Sequence, residues 1–260
     1  MSQLRFFLFG APRLVLNDRP LEFDTRKAVG LMAYLALART SFSRDTLAGL
    51  FWPDYDQAQA RANLRRTLST LTKGIGKSIL DVDRETIGLA PSNGLWVDVV
   101  EYNYLLARIR SHQHPGSEVC VDCLPLLNQA AKLVLGDFMA GFSLRDSPEF
   151  EEWQFFQGEN LRREFTGVLE KMVRANNERG DYDTAISSAR HLVAIDPLNE
   201  AAHAWLIQLY GRTGQRSAAL RQYQQTARVL QEELGIAPGE EIEAAYKGIQ
   251  ERRVDPHPVV

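Results

Sequence analysis

Cysteine is nearly absent: Cys120 and Cys123 are the whole complement, too few for a disulfide-stapled secreted fold. Long apolar runs are missing as well. No stretch approaches the roughly 18 consecutive apolar residues that a membrane-spanning helix needs. The N-terminus, MSQLRFFLFGAPR, lacks the basic region and long apolar core of a secretory signal, so the expected compartment is the cytoplasm and no membrane partner is expected. Catalytic signatures are lacking too: no nucleophile elbow, metalloprotease helix or glycine-rich cofactor turn is present, and an enzyme is not expected. Gly74-Ile75-Gly76-Lys77-Ser78 is like the end of a phosphate-binding loop. However, Leu71 stands where the first glycine of that loop is required, and a helix precedes where a strand should.

What the chain does have is ordinary globular composition: 260 residues, 45% hydrophobic and 24% charged, enough for two domains. The net charge of −3 hides an asymmetry. Residues 1–110 carry 15 Lys+Arg against 11 Asp+Glu, whereas the remainder carries 15 against 22. A mildly basic half joined to an acidic half fits a DNA reader attached to another module.

The first 24 residues read as strands: Leu4–Phe9 is β-prone, Gly10-Ala11-Pro12 breaks it, Arg13–Leu16 follows, and Asn17-Asp18 turns the chain toward Leu21-Glu22-Phe23. Thr25 is placed to cap a first helix with Ala28, Leu31, Met32, Leu35 and Leu37 on its apolar face. Ser43 is placed to cap a short second helix that ends at Trp52-Pro53, and Asp56, with Gln59 three residues on, a third. The third helix has Leu64, Leu68, Leu71 and Ile75 on one side and stops at Gly74 and Gly76. Ile79–Val82 and Thr86–Leu89 then read as a hairpin. Strands, three helices and a hairpin are the order of a winged helix-turn-helix.

From Asp98 onward the pattern is helical, with a break near residues 111–119. Gly180-Asp181-Tyr182 with Ala185 returns 34 residues later as Gly214-Gln215-Arg216 with Ala219, and Pro197 and Pro238 close the two units. A 34-residue period with a small residue at the turn is the tetratricopeptide signature. Residues 124–178 are expected to supply further helical pairs.

Three sets of residues could carry function. The third helix holds Arg61, Arg65, Arg66 and Lys73 and no acid between residues 57 and 80. On a helical wheel, Asn63, Arg66, Thr67, Thr70 and Lys73 are read on the face opposite the leucines, flanked by Arg61 and Arg65. That set suits a major groove, where arginine pairs with guanine, asparagine with adenine, and lysine holds phosphates. The plainer reading is a solvated basic face, and residues 25–44 and 201–231 are also acid-free with four basic residues each. Arg84 sits at the expected wing tip between Asp83 and Glu85, either a minor-groove contact or a solvated turn residue. His112, His114, Cys120 and Cys123 form H-x-H-x5-C-x2-C, a spacing that suits one structural zinc ion; the alternative is two reduced thiols beside a polar loop.

These marks together resemble the SARP-type bacterial transcriptional activators, in which an OmpR/PhoB-like winged helix precedes a bacterial transcriptional activator domain. The resemblance is carried by Phe51-Trp52-Pro53-Asp54, Asn63-Leu64, Leu68-Ser69-Thr70-Leu71, Ile75-Gly76, Trp96-Val97-Asp98, Gly136-Asp137-Phe138, Gly141-Phe142, Ala201-Ala202-His203, Gly214-Gln215-Arg216, Ala218-Ala219-Leu220 and Glu233-Leu234-Gly235 with Pro238. It implies binding to double-stranded promoter DNA, often at direct repeats, and contact with RNA polymerase. It implies a recognition helix at residues 57–73 and a wing around Arg84. Relatives often carry Leu-Arg-Arg or Leu-Arg-Lys late in that helix, where this chain has Leu71-Thr72-Lys73. No receiver domain precedes Leu4, and the chain ends soon after Pro238, as a small activator or a fragment would. The expectation is therefore a winged-helix DNA-binding domain over residues 1–97 and a tetratricopeptide-like helical domain over 98–250, with a loop at 111–123. The expected function is a sequence-specific activator whose helical domain serves protein partners or self-association as a homodimer. The alternative is a protein-interaction adaptor whose winged helix does not bind DNA.

Overall fold

Alternating side chains at the N-terminus build a small sheet. β1 (Leu4–Phe7), β2 (Arg13–Leu16) and β3 (Arg19–Leu21) pair antiparallel, and β7 (Leu95–Val97) joins β1 in parallel, in the order β3-β2-β1-β7. The computed structural model describes residues 4–90, 94–112 and 119–251. Leu4 and Phe6 point into the core while Arg5 and Phe7 are half-buried. Asn17 and Asp18 have φ of 51° and 62°, the two left-handed residues that a tight type I′ hairpin turn requires. Pro20 has no amide to donate and lies in β3, at the sheet's edge.

Three helices follow: α1 (Arg26–Ala38), α2 (Arg44–Phe51) and α3 (Gln57–Ile75), with the short β4 (Phe42–Ser43) between the first two. The caps come largely from the expected residues. Ser43 Oγ accepts the Thr46 amide at 3.0 Å and Asp56 Oδ1 accepts the Gln59 amide at 2.9 Å. Thr25 occupies the N-cap of α1, but its side chain makes no cap hydrogen bond. The Gln59 side chain donates to Asn63 at 3.3 Å, along the helix rather than back toward the cap. β5 (Leu80–Val82) and β6 (Thr86–Leu89) form the wing hairpin, and β4 pairs with β6 to make the order β4-β6-β5. The result is a winged helix-turn-helix with its N-terminal antiparallel sheet.

The rest is helical: α4 (Asp98–Arg110), α5 (Cys123–Leu133), α6 (Pro148–Glu178), α7 (Tyr182–Ile195), α8 (Glu200–Arg212), α9 (Arg216–Leu234) and α10 (Glu240–Gln250). The 34-residue repeat is visible in the backbone. Gly180 and Gly214 take φ of 76° and 73°, and the amides after them, Asp181 and Gln215, reach back to the Asn176 and Tyr210 carbonyls at 2.9 and 2.8 Å. This is the same helix-ending turn twice. Ala185 and Ala219 are fully buried at matching positions. Residues 124–178 differ from a run of short pairs: α5 ends at Leu133, an irregular segment follows, and α6 then runs for 31 residues.

That irregular segment belongs to the core of the winged helix. The contacts group residues 1–108 with 132–161, and residues 109–131 with 162–260, so the first compact unit extends past residue 97. Met139 donates to the Leu8 carbonyl at 2.8 Å, Gly10 to Asp137 at 2.9 Å and Ala140 to Gly10 at 2.9 Å. Gly136 and Gly10 come so close that a Cβ on Gly136 would lie 3.3 Å from the Gly10 Cα. Behind them, Tyr34, Phe51, Phe138, Phe150 and Trp153 form a ring cluster with centroid separations of 5.0–6.2 Å. Buried Asp98 ties the sheet to α4: its carboxylate accepts the amides of Leu8, Phe9 and Val99 at 2.7–3.0 Å.

Candidate nucleic-acid interface

α3 is a good helix former over most of its length, rich in alanine and leucine and capped by Asp56. Its anchored side comprises Ala60, Leu64, Leu68, Leu71 and Ile75, all buried. Each large apolar side chain removed from water contributes about 1.5–3 kcal/mol, enough to fix the helix's rotation about its axis. Arg65, Arg66, Ser69 and Lys73 are consequently exposed, and Asn63 and Thr70 are half-buried.

The structure moves Thr67 inward and gives Arg61 a partner that the sequence reading lacked. Thr67, read from the wheel as outward, is only 6% exposed. At about 100° per residue it falls beside Ala60 and Leu71, and the buried arc is wider than the leucine stripe alone. Arg61, read as a flanking phosphate contact, is engaged within the protein: its guanidinium pairs with both carboxylate oxygens of Asp45 on α2, one contact measuring 2.6 Å. That hydrogen-bonded guanidinium holds the Asp45 carboxyl below its usual range. An acid sixteen residues upstream was invisible to a count of charges within α3.

The remaining polar groups are connected along the helix. Gln59 and Arg66 both donate to Asn63 Oδ1, at 3.3 and 3.5 Å, and Thr70 donates to the Arg66 carbonyl at 3.2 Å. Asn63, Arg66, Thr67 and Thr70 line a groove of about 290 Å³ together with Thr25, Lys27 and Trp52. Lys27 is committed elsewhere, with its ammonium 2.8 Å from Asp146 and 5.0 Å from the centre of the Trp52 ring. At the wing, Arg84 is exposed at the tip. Asp83 holds the turn by accepting the Glu85 and Thr86 amides at 2.7 and 2.6 Å, which keeps its carboxyl below the usual range. Arg44, at the start of α2, braces the same turn through the Asp83 carbonyl at 2.7 Å. Arg44 and Asp45 were not singled out in the sequence; they matter through pairings across elements.

The second cluster brings together three of its four sequence candidates. His112 Nδ1 lies 3.4 Å from Cys120 Sγ and 3.3 Å from Cys123 Sγ, and all three atoms fall within 4.8 Å of one another. His114 lies outside the described residues. The hydrogen bond with His112 draws the Cys120 thiol down to about 6, and burial pushes that of Cys123 up to about 11. Neither cysteine is in a disulfide. Among the described residues, no helix is long and apolar enough to cross a membrane.

The chain is similar to known regulatory proteins. The chain is 25% identical over 245 residues to the regulatory protein AfsR of Streptomyces griseus, which covers 92% of this chain and 24% of AfsR. It is 23% identical over 258 residues to the transcriptional regulatory protein EmbR of Mycobacterium bovis, covering 95% of this chain and 63% of EmbR. This chain thus spans about a quarter of AfsR and under two thirds of EmbR. The solved structure of Mycobacterium tuberculosis EmbR in complex with a low affinity phosphopeptide superposes with a TM-score of 0.66 at 20% identity, over 100% of this chain and 67% of that one, and establishes the shared fold. Residues 105–250 match the bacterial transcriptional activator domain. The chain belongs to the bacterial transcriptional activator domain family, in the SARP-type arrangement that sets a winged helix ahead of that domain.

Proposed function

We propose that this protein is a sequence-specific DNA-binding transcriptional activator of the cytoplasm, with α3 entering the major groove of double-stranded promoter DNA. The observation that carries the reading is the outward side of α3, an acid-free surface with Asn63, Arg66, Thr70 and Lys73 held in register by leucines on the other side. Arg66 and Asn63 read base edges, Lys73 and Arg65 hold phosphates, and Arg84 meets the backbone or minor groove beside the wing. Thr70 and the mostly buried Thr67 line the groove beside them. The acidic, repeat-built helices serve a protein partner, RNA polymerase or another regulator, or a second copy on a direct repeat. The names of AfsR and EmbR as regulatory proteins agree with this reading.

Fluorescence anisotropy of the full chain on a labelled duplex from upstream of its own gene, against a scrambled duplex, tests it in a salt series. The expected result is specific binding about a thousandfold or more tighter than non-specific binding, with affinity falling as salt rises. Equal, weak affinity for both duplexes would leave an adaptor role in its place.

A further inference from the structure

We propose that His112, Cys120 and Cys123 bind a structural zinc ion that ties the end of α4 to the start of α5. The argument rests on where the chain puts the donors. His112 lies two residues beyond α4, Cys120 lies three residues before α5, and Cys123 opens that helix. A turn between the cysteines, closed by the Cys123 amide on the Cys120 carbonyl at 3.2 Å, faces both thiols toward the same imidazole. In a tetrahedral zinc site with Zn–S of about 2.3 Å and Zn–N of about 2.0–2.1 Å, a nitrogen and a sulfur stand about 3.5 Å apart. The two nitrogen–sulfur separations here are 3.4 and 3.3 Å. The donors are therefore already spaced as zinc ligands, and binding asks for proton release from the thiols rather than for backbone movement.

Donor chemistry selects the metal. Two thiolates and an imidazole favour zinc over magnesium or calcium, which take oxygen donors. The fourth tetrahedral corner belongs to a donor outside these three. Cys123 is fully buried and its two partners half-buried, a setting that suits a structural ion.

The test uses the full chain, expressed without a histidine tag and kept reduced. Elemental analysis is expected to find about one zinc per chain. Cobalt(II) replacing it is expected to give tetrahedral d–d bands and a thiolate-to-cobalt charge-transfer band that weakens in Cys120→Ser. His112→Ala should lower zinc affinity at least tenfold in competition with a chromogenic chelator, a readout taken on wild type and variant side by side. Stripping zinc should lower the melting temperature of the wild type and leave that of Cys120→Ser unchanged. Wild-type protein that carries no zinc and shows no thiolate–cobalt band overturns the proposal. So does zinc retained at full affinity by both variants, or a Cys120–Cys123 disulfide formed without displacing metal.

Discussion

Asn63 and Arg66 are joined by a long hydrogen bond on the outward side of α3, and neither fills the core. Their replacement by alanine should therefore separate binding from folding. Asn63→Ala and Arg66→Ala are each expected to weaken specific DNA binding by about 1–3 kcal/mol. Thermal melts should stay within the small range of ordinary surface substitutions. Unchanged affinity in both variants would remove α3 as the reading helix. The two cations read as phosphate contacts should behave differently from each other. Lys73 is exposed on the last turn, so Lys73→Ala should reduce the salt slope by roughly one and weaken all sequences alike. Arg61 is held by Asp45, so Arg61→Ala should change the slope less. Asp45→Asn should do the opposite, releasing a guanidinium and steepening the slope. Identical slopes for the Lys73 and Arg61 variants would show that the ion pair opens on DNA.

At the scale of elements, the wing turn offers a pH-dependent check. Asp83 has its carboxyl held below the ordinary value by the Thr86 and Glu85 amides. A depressed acid stabilises the folded turn at neutral pH, and that contribution is lost as pH falls below about 4 through the folded value. Amide protection at Glu85 and Thr86, taken relative to intrinsic exchange at each pH, should fall over that acid window in the wild type, and be low at all pH in Asp83→Ala. Exchange that stays slow in the variant would assign the turn's order to Arg44 alone. The helix-ending turns carry a second check. Gly180→Ala and Gly214→Ala force a side chain into left-handed backbone and should each cost about 1–2 kcal/mol in chemical denaturation.

Features of this size were the most legible in the sequence. The caps Ser43 and Asp56, the Asn17-Asp18 turn, the wing hairpin and the repeat glycines each depend on a few neighbouring residues. Thr67 was misplaced because the width of a buried arc depends on what packs from either side, which the helix's own spacing does not contain. The ion pair of Arg61 went unseen for a related reason: its counter-charge belongs to another helix.

At the scale of the whole molecule, the least legible feature is also the one with the largest energetic consequence. Gly136-Asp137-Phe138 and Gly141-Phe142 were recognised as marks of the helical domain, whose family match includes them, but their pairing with Leu8 and Gly10 was not read, because nothing local tells a segment what its partner is. That segment, with the first half of α6, completes the core around the winged helix. Phe150 and Met139 are fully buried there, and Asp98 satisfies three amides. Truncating one buried phenylalanine typically costs about 3–5 kcal/mol, and each amide orphaned by loss of Asp98 about 1–3 kcal/mol more. Domains of this size are stable by only about 5–15 kcal/mol in total. A fragment of residues 1–97, with all of these removed together, should therefore not fold cooperatively. Residues 1–161 retain the whole of the first unit and should. Urea titrations followed by tryptophan fluorescence, with dye binding to report exposed apolar surface, distinguish the two. The shorter fragment is expected to bind dye and lack a sigmoidal transition, and the longer one to unfold in a single step. A 1–97 fragment that unfolds cooperatively at the midpoint of 1–161 would mean that residues 132–161 cover the winged helix without stabilising it.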